Sequence, residues 1–161
     1  MKLRAFQESD WPRAAEILTS REVAKTYMLP EFESAEAARP LFDRLLTLSR
    51  TGERYERAME ADGLFVGFLN DVEQRGTQIE LGYVIHPDHK NQGYATEALA
   101  AAMQALFDLG LTAVVTGAFA ENTASMRVME KCGMLRTDFE EVIPYQGVDH
   151  RCVYYKKERP V

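Results

Sequence analysis

The chain has little cysteine: Cys132 and Cys152 are the only two in 161 residues. Two cysteines cannot build a disulfide framework, and neither belongs to a CxxC pair or a Cys/His group with zinc spacing, so both read as packed thiols. No apolar run reaches about 18 residues, so no membrane span is expected. The opening residues MKLRAFQESDW lack the apolar stretch of a signal peptide, and the expected location is the cytoplasm. Positive charge is also in short supply: 19 Lys+Arg against 25 Asp+Glu leave a formal net charge of −6. That balance argues against a nucleic-acid partner and mildly favours a cationic small molecule or peptide. His86, His89 and His150 show no spacing of the HExxH kind, and no metal is expected. There is neither a GxxxxGK[ST] phosphate loop nor a GxSxG elbow.

What is present fits one domain over residues 1–161, because a 46% hydrophobic composition at this length supplies a sizeable core. Alternation over residues 2–6 predicts a strand. Ser9 or Asp10 then caps a helix with Pro12 in its first turn and Trp11, Ala15 and Leu18 on one face. Helical spacing recurs over 34–50 through Ala38, Leu41, Phe42, Leu45 and Leu48, where Pro40 predicts a kink or a division into two short helices. Strand-like runs follow at 54–60, 64–71 and 77–85, broken by Asp62-Gly63 and Arg75-Gly76, and read as consecutive antiparallel hairpins. Ala95, Ala98, Leu99, Ala102, Leu106 and Leu109 form an apolar helical stripe. A strand at 113–119, a helix from Asn122 to Cys132 ended by Gly133, and strands near 134–143 and 150–157 complete the order. Antiparallel strands followed by crossover helices imply an α/β (α+β) fold, a mixed sheet with helices on both faces.

The stretch HPDHKNQGYATEAL, residues 86–99, stands where a strand hands over to that helix. The first N–H groups of a helix and its dipole form a natural anion site, and Gly93 lets backbone approach a ligand without a Cβ in the way. In the preceding strand Gly82 is unusual, since glycine weakens a strand and marks a bulge or a close approach. Asn122 suits a helix N-cap.

ELGYVIHPDHKNQGYATEAL, followed downstream by ENTASMRVMEKCGM, resembles the GNAT superfamily of acyl-CoA-dependent N-acyltransferases, most closely its Rim-type branch that acetylates ribosomal-protein N-termini. The family loop Arg/Gln-x-x-Gly-x-Gly/Ala is matched by Lys90-Asn91-Gln92-Gly93-Tyr94-Ala95, with lysine as a departure that keeps the positive charge. The resemblance implies a mostly antiparallel sheet of about seven strands with one splayed parallel pair, 77–85 beside 113–119. It implies acetyl-CoA as cosubstrate, held at its pyrophosphate by residues 90–95 and Thr96. Backbone at Tyr83, Val84 and Ile85 would bind the pantetheine arm, and the Asn122 side chain would touch the coenzyme.

Direct attack of an amine on a thioester needs a base, an oxyanion donor, an acid for the thiolate and a hold on the coenzyme. Glu80 is the candidate base, acting through water, and a backbone N–H near Val84 the oxyanion donor. Many relatives carry an acidic tyrosine seven positions after the helix asparagine; Met129 stands there and donates no proton. Ser125, three positions after Asn122, is the candidate for contacting the sulfur, as a hydrogen-bond donor or through water. Tyr145 and Tyr94 are weaker candidates for that role. The acceptor is an amine, a peptide N-terminus or a small molecule, with Tyr27, Met28 and Phe32 expected in its wall. Arg151, Lys156 and Lys157 read as a solvated strand end that could also meet a substrate carboxylate or a coenzyme phosphate. Exposed strand edges at the C-terminal end are compatible with a homodimer. The competing readings are a non-catalytic acyl-CoA sensor, which the missing tyrosine allows, and an unrelated nucleotide-binding domain.

Overall fold

The computed structural model describes all 161 residues and carries the predicted order of elements with one addition, the short helix α2: β1 (Lys2–Arg4), α1 (Trp11–Leu18), α2 (Arg21–Ala24), α3 (Ala35–Thr51), β2 (Arg57–Ala61), β3 (Leu64–Arg75) and β4 (Gln78–Ile85). Then follow α4 (Tyr94–Asp108), β5 (Ala113–Phe119), α5 (Thr123–Lys131), β6 (Leu135–Tyr145) and β7 (Val148–Glu158). The strands form one seven-stranded sheet in the order β1-β2-β3-β4-β5-β7-β6. Four of its pairings are antiparallel, β1 with β2, β2 with β3, β5 with β7 and β6 with β7, whereas β4 and β5 run parallel. No helix is long and apolar enough to cross a membrane.

The chain divides into two compact units, one of Met1–Asn70 with Tyr83–Ala98 and one of Asp71–Gly82 with Leu99–Val161. The first unit is built on an aromatic core. Phe6, Phe42 and Phe68 are fully or almost fully buried, and the ring of Phe6 lies 5.7 to 6.0 Å from those of Phe68, Phe42 and Phe65. Ile17, Val23 and Leu45 complete the cluster. Asp10 does not cap α1 with its side chain, as its position suggests. Its carboxylate instead accepts from the Gln7 N–H at 2.8 Å and from both ends of the Arg4 guanidinium at 2.8 Å. Pro40 does not divide α3, which runs unbroken from its Ser34 cap to Gly52 in the left-handed region. The proline falls in the second turn, where the carbonyl it leaves without a helical donor is that of exposed Glu36. The first strand is shorter than the alternation suggests, ending at Arg4.

In the second unit, register places side chains on the two faces of the sheet. Glu80 is aligned with Val115 and Val115 with Lys156, so these three share a row on one face, with Gly117 and Tyr154 in the next row. Val114, Val153 and Tyr155 on the opposite face are buried. There Tyr155 donates to Glu130 of α5 at 3.0 Å and Lys157 to the Cys132 carbonyl at 2.9 Å. The parallel ladder joins Gln78–Glu80 to Ala113–Val115. The stripe of α4 is confirmed at Ala98, Leu99, Ala102 and Leu106, but Leu109 lies beyond the helix and is 75% exposed. The β6–β7 hairpin turns through Gln146 and Gly147, both with positive φ as a type I′ turn requires. Neither Cys132 nor Cys152 forms a disulfide, and both are buried.

Candidate functional site

The expected coenzyme residues 83–85 and 90–96 all fall in the first unit. Val84 is buried and Tyr83 and Ile85 half-buried, and the backbone N–H of His86 donates to the Val66 carbonyl at 2.8 Å, holding the end of β4 on β3. Gly67, which sequence patterning does not single out, occupies the tightest point. A Cβ there would lie 2.2 Å from the Val84 carbonyl oxygen and 3.1 Å from Ile85 Cα. A glycine is therefore required for the Val84–Ile85 peptide to turn its carbonyl toward β3. In a trans peptide the N–H of Ile85 then points the other way.

Beyond β4, His86 is 2% exposed and both its ring nitrogens are engaged. Nδ1 accepts the Asp88 N–H at 3.1 Å, which leaves the proton on Nε2 to be donated to Glu16 at 2.5 Å. The Asp88 carboxylate also lies close, so Glu16, His86 and Asp88 have ligand-type atoms within 4.8 Å of one another. This cluster was not visible in the spacing of the histidines. The loop follows, with Asn91 at φ 60° and Gly93 at φ 79°. Nothing lies within 4 Å of where a Gly93 side chain would start, so torsion and not space selects glycine. The Gly93 carbonyl accepts from the Glu97 N–H at 3.1 Å, which makes Gly93 the residue on which α4 opens. Tyr94, Ala95 and Thr96 in its first turn are half-buried, and Asn91 and Gln92 are exposed. Lys90 reaches back to α2, its Nζ 2.6 Å from the Glu22 carboxylate. This pair holds the Glu22 carboxyl below its ordinary range.

Glu80, Asn122 and Ser125 fall in the second unit. Glu80 is half-buried, and burial, then the neighbouring carboxylates of Glu73 and Glu141, hold its carboxyl above the usual range against an opposing pull from Arg75. Tyr154, unforeseen from sequence, sits beside it. A Cβ on Gly117 would lie 2.7 Å from the Tyr154 ring, and the phenol is raised by burial, by Glu80 and by Glu141, to which it is hydrogen-bonded. It therefore stays protonated throughout the working range. Asn122 is the N-cap of α5, accepting the Ser125 N–H at 3.2 Å. That bond uses the side-chain oxygen and leaves the amide nitrogen to serve as a donor. Met129 is fully buried and supplies no proton. Tyr145 packs against Phe119 and His150, with ring centroids 5.8 and 5.9 Å away.

The first unit thus holds a strand end whose peptide is turned beside a crowded glycine and a left-handed glycine that opens a helix; the second holds a carboxylate kept above its ordinary range. The family described as Acetyltransferase (GNAT) domain matches residues 1–135, most of the chain. The chain belongs to the GNAT acetyltransferase family. This GNAT enzyme is an N-acetyltransferase by family. It is 27% identical over 139 residues to an uncharacterized N-acetyltransferase, YnaD, of Bacillus subtilis (strain 168), covering 85% of this chain and 80% of that one. A GNAT-family acetyltransferase structure from Bacillus anthracis superposes with a TM-score of 0.81 at 26% identity, over 97% of this chain and 93% of that one. RimL, a ribosomal L7/L12 alpha-N-protein acetyltransferase solved with coenzyme A, gives a TM-score of 0.82 at 19% identity over 97% and 92% of the two chains. At that identity the likeness to RimL is one of fold.

Proposed function

We propose that this GNAT enzyme transfers the acetyl group of acetyl-CoA to a primary amine, a peptide N-terminus or a small amine, by direct attack within a ternary complex. Both compact units are read as one N-acetyltransferase domain, of the Rim-type branch. The observation that carries the reading is the loop at Gly93: a family-pattern segment in the left-handed conformation, opening a helix whose first amides and dipole favour a phosphate. Lys90, Asn91, Gln92, Gly93, Tyr94, Ala95 and Thr96 hold the pyrophosphate, the first by charge and the rest mainly through backbone. Tyr83, Val84 and Ile85 pair with the pantetheine amides, and the turned Val84–Ile85 peptide supports the assignment of a backbone donor to the oxyanion. A parallel ladder ending at Glu80 and Val115 agrees with the splayed pair that the fold family uses. The amide nitrogen of Asn122 contacts the coenzyme while its oxygen caps α5.

Glu80 binds the incoming ammonium and, through water, takes its proton. The neutral amine then attacks the thioester carbonyl and the N–C bond forms; as the C–S bond breaks, the nitrogen's second proton passes through water to the thiolate, which leaves as a thiol, and the proton on Glu80 is released to solvent. Ser125 assists the sulfur by a hydrogen bond, since Met129 has none to offer. A carboxylate raised toward neutrality is a better-matched base than an ordinary one. It still suits weakly basic amines best: at pH 7 roughly a tenth of an α-amino group of pKa about 8 is neutral, against well under a thousandth of a lysine. The test is release of coenzyme A thiol from acetyl-CoA across peptide N-termini, polyamines and aminoglycosides. Turnover with an α-amine is expected. Coenzyme binding with no thiol release on any amine would replace the enzyme with the sensor.

A further inference from the structure

The second unit has an open cavity of about 520 Å³ at the strand ends, lined among others by Arg75, Thr77, Thr112, Lys156, Glu158 and Arg159. Three of these six side chains are cationic and one is a carboxylate, in a chain whose formal charge is −6. The Thr77 and Thr112 hydroxyls, both in its lining, are hydrogen-bonded to each other at 2.7 Å, which leaves one O–H of the pair to turn toward an oxyanion. Lys156 belongs to the same row, on the same face, as Glu80, with Val115 between them. Their Cα atoms are thus separated by two inter-strand spacings, roughly 10 Å. One face therefore carries a carboxylate suited to an ammonium and, about 10 Å away, a cationic cavity.

We infer that the acceptor is an amine that also carries an anionic group, a carboxylate or phosphate, which this cavity receives through Lys156 and Arg159 while the amine lies at Glu80. The inference rests on the acetyltransferase reading, from which Glu80 takes its role. Lys156 already has a partner, Glu158 at 3.6 Å, and Arg75 has Glu73 at 3.0 Å. Both are surface pairs of small worth, which an incoming anion can exchange. In an extended peptide roughly 10 Å is three residues, so the anion belongs on the third residue of a peptide acceptor. This selects acidic N-terminal sequences over polyamines, whose second positive charge would meet Lys156 and Arg159.

The test compares Ala-Ala-Asp-amide, Ala-Ala-Asn-amide and Ala-Ala-phosphoserine-amide as acceptors. The KM of the wild type should be lower for the acidic peptides than for the asparagine peptide by about tenfold, the factor that 1.4 kcal/mol confers. Lys156→Gln combined with Arg159→Gln should erase that difference, and Lys156→Arg with Arg159 intact should keep it. The better of the two acidic peptides distinguishes carboxylate from phosphate. Equal KM values for the Asp and Asn peptides in the wild type, or a preference that survives the double substitution, would overturn the inference. So would a parallel rise in the KM for acetyl-CoA, because the anion would then be the coenzyme's own phosphate. A second readout needs no turnover: N-acetylated Ala-Ala-Asp-amide is titrated calorimetrically onto protein saturated with coenzyme A. Binding that the double substitution weakens, with no thiol release from any amine, would sink the acetyltransferase reading and leave the anion site standing. Turnover without this binding would sink the anion site alone.

Discussion

Gly67 and Gly93 lie in the same compact unit, and each is glycine for a reason the other does not share. At Gly67 the obstacle is space: a Cβ would come within 2.2 Å of the Val84 carbonyl oxygen, a backbone atom that cannot swing aside as a side chain could. At Gly93 nothing lies within 4 Å, but φ is 79°, a torsion that an L side chain adopts only at a cost. On the proposed coenzyme site, the difference separates two kinds of preparation. One glycine lets a neighbouring strand present its peptide; the other turns its own chain so that a helix can open toward a phosphate. Substitutions that answer one constraint but not the other should tell the two apart.

The broadest effect is expected from Gly67→Ala, which should lower stability and activity together. The added methyl must push β3 and β4 apart or rotate the Val84–Ile85 peptide, an overpacking cost of about 1–3 kcal/mol in stability. Activity should fall further than stability explains, because the turned peptide is lost even in molecules that remain folded. Chemical denaturation and single-turnover rates on one preparation measure both. A variant that loses stability but keeps its single-turnover rate would detach the peptide from the chemistry.

Glu80→Gln should follow, with a drop in kcat of roughly 10²–10⁴-fold, the usual range for removing a general base. The loss should be greatest on the alkaline side of the acid limb of the wild-type pH profile, and the limb itself should disappear. Stability should move the other way. A carboxyl held above its ordinary range in the fold is unfavourable once ionised, so the variant should be more stable than wild type near pH 8. That gain should vanish as pH falls below the unfolded carboxyl's value of about 4.3, where both states carry the proton. Thermal melts at the two pH values check the sign.

Gly93→Ala should cost about 1–2 kcal/mol through the left-handed torsion, shared between stability and acetyl-CoA affinity. Gly93→Asn should recover much of it, since asparagine tolerates that region, whereas Gly67→Asn should be worse than Gly67→Ala. Calorimetric titration with acetyl-CoA and denaturation read the two effects. Equal damage from both residues at Gly93 would mean that space matters there after all. The smallest effect belongs to Glu22→Gln. Freeing Lys90 from an exposed pair should tighten acetyl-CoA only slightly, more at low salt than at high.

The same contrast explains what was legible in the sequence. Gly93 could be read because its constraint is local: a motif of six residues at a strand-to-helix junction contains the turn, the glycine and the small residue after it. The order of strands and helices was legible for a similar reason, since periodicity and capping are short-range. Gly67 could not be read because the atom it avoids belongs to Val84 on the next strand, and LFVGFLN alone gives no hint of that approach. Tyr154 was hidden likewise, as its nearness to Glu80 comes from β5 lying between β4 and β7. The lysine of the loop was identified, but its partner on α2 was not, because Glu22 is remote in sequence. Pro40 misled in the opposite direction: a rule about helix interiors was applied to a second-turn residue with a water-exposed carbonyl behind it.

The most direct measurement is mass spectrometry of enzyme and acceptor after one turnover, using acetyl-CoA and a peptide with a free N-terminus. Direct attack predicts one acetyl group on the peptide's α-amine and none on the protein at any time before product appears. Acetyl found first on Ser125 or on either cysteine and passed later to the peptide, or no acetyl on the peptide while the coenzyme is bound, would contradict the account.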